Sequence, residues 1–156
     1  MLSGLLLLCR ACWRRAAGGR RALLLAWRAA SHHEILGATA EQAESLAVDD
    51  VARMIAGGNH RLLIVGDEPV ALTGFNAALP DIVQVGGVYT PPDLRGRGQA
   101  RLAVALHLAE ARAAGAARAV LFAASPAAAR AYRSIGFRPN GSFALVLFAA
   151  PATISA

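Results

Sequence analysis

The sequence contains no lysine: all sixteen basic residues in the 156-residue chain are arginine. A nucleotide-triphosphate loop that ends in Gly-Lys-Ser/Thr is thereby excluded. Acids are missing from positions 1–33, which carry six arginines (Arg10, Arg14, Arg15, Arg20, Arg21 and Arg28). The remaining ten arginines face all ten acids, so the formal charge of +6 and the pI near 10.9 belong to the N-terminus. That distribution argues against nucleic acid as a partner of the folded part. Cysteine is scarce. Cys9 and Cys12 form a lone C-x-x-C with no second pair, no nearby histidine and no flanking βαβ pattern. They read as incidental thiols, consistent with a cytoplasmic location. Long apolar runs are also missing. Leu5–Leu8 is cut off by Arg10, far short of the ~20 residues a membrane span needs. The arginines follow this run instead of preceding it, unlike a secretory signal, and no membrane partner is expected. The acid-free, arginine-rich composition is shared with organellar import peptides, the alternative to a cytoplasmic location. Against import stands an alanine and arginine bias that runs through the whole chain. Positions 1–33 therefore read as an arginine-rich helical segment or extension, and 34–150 as one domain with a core of its own.

The order of elements follows from periodicity and breakers. Thr39 with Gln42 three residues on is a capping-box start, inside one or two helices spanning Ile35–Ala56. Leu46, Val51, Met54 and Ile55 form their apolar stripe, and Gly57-Gly58-Asn59 ends them. Arg61–Val65 and Val70–Asn76 read as an antiparallel pair around the turn Gly66-Asp67-Glu68-Pro69. Ile82–Tyr89 is a buried strand, stopped by Pro91 and Pro92. A helix opens at Gln99 with Leu102, Val104, Ala105, Leu106, Leu108 and Ala109 inward, and Arg101, His107, Glu110 and Arg112 outward. Ala119–Ala123 is the next strand. Ser125 caps a short helix that begins at Pro126 and ends before Gly136, and Ser142–Phe148 is a last strand.

Chemistry concentrates in Val85–Ala100, a strand followed by a Gly/Arg loop and a helix start. Backbone N–H groups left open at such a start converge on one point, and the helix dipole adds positive charge there. Arg95, Gly96, Arg97, Gly98, Gln99, Ala100 and Arg101 make that point a site for an anion, phosphate included. The plain alternative is a strand-to-helix turn with solvated arginines. Gly86-Gly87 marks a bulge or a close approach of another backbone.

Arg95-x-x-Gly98-x-Ala100 after a strand resembles the acetyl-CoA diphosphate motif of the GNAT superfamily of acyl-CoA N-acyltransferases. A second stretch, Ser125 to Phe137, resembles the family's tyrosine-bearing helix closed by Gly-Phe. The two matches lie in order across roughly Arg61–Phe148. The resemblance implies an α/β fold with a mixed, mostly antiparallel sheet flanked by helices, and two central strands that splay apart. It implies that acetyl-CoA, as co-substrate, pairs with Val88, Tyr89 and Thr90 and is gripped by residues 95–101, with Ser125 and Arg130 contributing. Ser125 departs from the asparagine common at that position, which weakens the contact expected there. The implied reaction is direct attack of a primary amine, of a small molecule or a peptide, on the thioester. An N–H near Val88 or Tyr89 would hold the oxyanion, and Tyr132 would donate to the leaving thiolate.

A base is harder to place. Gln84 stands where some relatives carry glutamate, and Glu68, Asp81 and His107 are candidates that also read as solvated residues. His32, His33 and His60 lack ligand spacing, so no metal is expected. A homodimer is compatible with this reading. The alternative function is a catalytically weakened CoA-binding or regulatory domain of the same type. A phosphate-binding α/β protein unrelated to CoA is a third reading.

Overall fold

The computed structural model describes residues 11–144. Five strands stand in the sheet in sequence order: β1 (Ala11–Arg15), β2 (His60–Val65), β3 (Glu68–Ala78), β4 (Ile82–Tyr89) and β5 (Arg118–Leu121). The first three pairings are antiparallel and β4–β5 is parallel. Four helices cover the sheet: α1 (Arg21–Leu36), α2 (Ala40–Gly57), α3 (Gln99–Ala113) and α4 (Pro126–Arg133). The mixed, mostly antiparallel α/β architecture read from the sequence is the one observed.

Alternation along the strands divides the core by face. Leu62, Ile64, Leu72 and Tyr89 meet Leu24 and Trp27 of α1 and Val51 and Met54 of α2. On the opposite face Leu63, Val70 and Ala71 meet Ala103 of α3, and Val85 meets Val104 and Tyr132. The Thr39 capping box forms as expected, with Gln42 N–H bonded to Thr39 Oγ1 and Thr39 N–H to Gln42 Oε1.

The N-terminal third departs most from expectation. Ala11–Arg15 is not helical but an edge strand in register with β2, from Ala11 opposite Val65 to Arg15 opposite Arg61. Trp13 reaches the Leu63 cluster and donates from Nε1 to Glu110 Oε2 at 2.9 Å. Charged side chains suit an edge strand, where they discourage pairing with another chain. Position 33 is no boundary either, because α1 runs unbroken across it and buries Leu24 and Trp27 in the shared core. On α2 the stripe is Ala43, Ala47, Val51 and Met54, while Leu46 is exposed. His107, assigned to the outer side of α3, is buried and stacked on Phe75 with ring centroids 3.7 Å apart. Of the expected last strand, Ser142–Ala144 is not in a strand, and 145–148 lie outside the described residues. Cys9 lies outside them too.

Candidate functional site

β4 and β5 are paired from Ile82↔Arg118 to Val85↔Leu121. β5 stops there while β4 continues to Tyr89, so among the described residues Gly86–Tyr89 has β3 on one side and no paired strand on the other. On the β3 side, Gly86 opposes Gly74 and Tyr89 opposes Leu72, three steps against two. The extra residue is a bulge containing Gly87 at φ 61°, a left-handed conformation that favours glycine. A Cβ on Gly86 would stand 2.2 Å from the Asn76 side chain, and one on Gly87 3.2 Å from His60 Nε2. The glycines thus let the bulge sit beneath its neighbours' side chains.

A cavity of about 990 Å³ opens beyond the point where the two strands part. It is lined by Val88 and Tyr89 of β4 and Thr90 just after it, the loop Arg95–Gly98, and Gln99, Ala100 and Arg101 of α3. Ala128, Ala131 and Tyr132 of α4 complete one wall, with Ser125 at the helix start. Residues from both sequence motifs therefore share one cavity. Arg130 does not join them: the cavity side of α4 carries positions 127, 128, 131 and 132, and Arg130 projects outward, exposed.

The start of α3 is open to this cavity. Gly98 is the N-cap at φ 79° and provides no side chain to accept from the first turn. Leu102 N–H is bonded to Gly98 O at 3.0 Å, so the N–H groups of the three residues before it have no intrahelical partner. The side-chain oxygens of two lining residues, Thr90 Oγ1 and Gln99 Oε1, are themselves enclosed without hydrogen-bond partners. The open N–H groups of the helix start fit an anionic group such as a diphosphate.

The three arginines differ in what holds them. Arg95 is not a free charge: its Nη1 and Nη2 donate to Glu34 Oε1 and Oε2 at 2.7 and 2.6 Å, and its Nε to Thr90 O at 2.9 Å. Its guanidinium carbon lies 5.9 Å from the Tyr89 ring centroid. Arg97 donates to Asp93 O at 3.0 Å, and Arg101 Nη1 lies 3.4 Å from Ser134 Oγ. Ser125 Oγ accepts from Ala128 N–H at 3.1 Å, so its cap role occupies one lone pair and leaves the hydroxyl proton free to donate.

Tyr132 is 8% exposed, set edge-on to Phe137, and lines the cavity. Burial raises its pKa above the ordinary tyrosine value, so at neutral pH the hydroxyl keeps its proton. None of the base candidates reaches the cavity. Asp81 pairs with Arg118 at 2.5 Å, Glu68 is an exposed residue at the β3 start, Gln84 is absent from the lining, and His107 is stacked in the core. Sequence reasoning missed Glu34 and Ile35 at the end of α1, which close the cavity opposite α4. Glu34 is the first acid in the chain, but no motif marks it.

Residues 23–137 match the model of the Acetyltransferase (GNAT) family. Among solved structures, a GCN5-related N-acetyltransferase from Ralstonia eutropha aligns with TM-score 0.65 and 20% identity over 88% of this chain and 98% of its own. A predicted acetyltransferase from Clostridium acetobutylicum, solved with acetyl-CoA, gives TM-score 0.67 and 16% identity over 88% and 96%. AAC(6')-Iy, in complex with the bisubstrate analogue CoA-S-monomethyl-acetylneamine, gives TM-score 0.65 and 12% identity over 90% and 99%. No curated protein matches the sequence.

Proposed function

The chain belongs to the GNAT acetyltransferase family, and on that premise we propose that it transfers the acetyl group of acetyl-CoA to a primary amine by direct attack on the thioester. The observation that carries this reading is the parting of β4 and β5 after Val85 and Leu121, at a cavity lined by both motifs. The unpaired edge of β4 supplies backbone groups for the pantetheine amides, as one more strand would. The open N–H groups at the start of α3, with Arg97 and Arg101, suit the diphosphate. Structural neighbours solved with acetyl-CoA and with a CoA bisubstrate analogue support the same ligand class.

The reaction places distinct demands on the chain. A donor must meet the carbonyl oxygen as charge develops on it, and the backbone N–H groups at Val88 and Tyr89, which line the cavity beside the bulge, are assigned that role. The departing sulfur needs a proton, and Tyr132 carries one. The test is thiol release from acetyl-CoA across a panel of primary amines. Turnover with at least one amine, lowered roughly 10²-fold in Tyr132→Phe at unchanged acetyl-CoA affinity, supports the reading. Acetyl-CoA binding with no turnover across the panel supports the CoA-binding regulatory alternative instead.

A further inference from the structure

The cavity lining contains three arginines and one carboxylate, that of Glu34. Resting on the acetyltransfer reading, we propose that Glu34 receives the acceptor's ammonium group and takes its proton, and that acetyl-CoA uncovers it by drawing Arg95 onto the diphosphate. Glu34 stands in the last turn of α1, beside Tyr89 and Thr90 and across the cavity from α4. Its partner Arg95 lines the same cavity as the loop that opens α3, so the guanidinium that holds Glu34 stands beside the place assigned to the diphosphate.

The competition favours exchange. The ion pair is open to water, with side chains 42% and 48% exposed. A pair that open is held by a factor of only a few in its equilibrium constant. A diphosphate offers the same fork two charged oxygens together with the open N–H groups of α3. Arg97 and Arg101 are bound only to a carbonyl and a hydroxyl, so neither needs to surrender a carboxylate. Once Arg95 turns, the carboxylate left behind is the one acidic side chain among the described residues of the lining.

The acceptor class follows from that charge arrangement. An alkylammonium entering beside three guanidiniums is repelled until Glu34 is free, so acetyl-CoA binds first and the cationic amine second. Glu34 then accepts one N–H proton, and the nitrogen lone pair forms the bond to the carbonyl carbon. The oxyanion collapses, the C–S bond breaks, and the sulfur takes the proton of Tyr132. The acylated nitrogen, still carrying two protons, gives one of them through water to the Tyr132 oxygen, and Glu34 passes its own proton to water, leaving neutral amide, free thiol and one proton in solution.

The experiment compares the full chain with Glu34→Gln. Acetyl-CoA affinity is read by calorimetry, and thiol release with Nα-acetyl-lysine amide, a cation, and p-anisidine, which is neutral at pH 7.5. With Arg95 freed, acetyl-CoA binds Glu34→Gln about two- to fivefold tighter. In the same variant kcat/KM for the cationic amine falls roughly 10²-fold, while that for p-anisidine falls by less than about tenfold. A purely structural role of Glu34 would lower kcat/KM for the two amines alike and would not tighten acetyl-CoA binding. Weaker acetyl-CoA binding by Glu34→Gln, or turnover of the cationic amine by Glu34→Gln at the wild-type rate, overturns the assignment and leaves acetyltransfer standing. A wild-type chain that binds acetyl-CoA and releases thiol with neither amine overturns both.

Discussion

His60 lies against Gly74 and Gly87 on the helix α1 and α2 face of the sheet, and His107 lies between Phe75 and Trp13 on the other. The Nδ1 atom of each is enclosed without a hydrogen-bond partner. Burial, aided by Arg28 and Arg61 and opposed by Asp50, lowers His60 to about 4. Burial with Arg61, opposed by Glu110, does the same for His107, also to about 4. The unfolded chain takes up these protons near pH 6.5, the folded chain only near 4. Their contribution is therefore complete above pH 6.5 and is lost as pH falls toward 4, by up to about 3 kcal/mol per site. The urea midpoint should decline between pH 6.5 and 4.5, ahead of carboxylate protonation, and His107→Phe should reduce that decline. A midpoint unchanged across that range would contradict the burial of these rings. The inward position of His107 was not legible because periodicity counts imidazole as polar, whereas a neutral ring stacks as an aromatic. Glu34 was equally hidden, since its importance depends on a partner, Arg95, distant in sequence.

Local chemistry decides which elements the sequence reveals. Proline fixes φ and glycine admits the positive φ that a turn needs, so the end of β4, the start of α3 and the Ser125 cap could be read directly. β1 could not. Alanine and the paired arginines favour helix, and pairing with β2 makes Ala11–Arg15 extended. Trp13 fixes that strand through its packing and its bond to Glu110, which also pairs with Arg61. Trp13→Ala should cost about 2–3 kcal/mol in urea unfolding, although the segment looks like an appendage in sequence. The α2 stripe was misread for a related reason: alanines at 43 and 47 allow close packing, so the larger Leu46 faces out. At the β4 bulge, Gly87→Ala meets both a positive φ and the His60 ring. It should lose about 1–2 kcal/mol of stability and reduce turnover more than acetyl-CoA binding, because the N–H direction changes while the α3 start is untouched. Equal losses in both would argue that the bulge only holds the sheet together.

Across the whole molecule, strand order and the early end of β5 produce a sheet that is closed on one side of β4 and open on the other. Two motifs separated by a helix and a strand then meet across the opening, with α1 contributing a third wall that no motif announces. The central claim is that this opening grips the diphosphate of acetyl-CoA at the backbone of the α3 start. Gly98 is the position to probe. Its φ of 79° disfavours any side chain, and a tryptophan there would project at the open start of α3, with the Arg101 guanidinium 3.3 Å from its Cβ. The most direct measurement is calorimetric titration of the full chain with acetyl-CoA, alongside a Gly98→Trp variant shown to be folded. One-to-one binding by the wild type and none by the variant is the predicted result; acetyl-CoA binding that survives Gly98→Trp unchanged would contradict it.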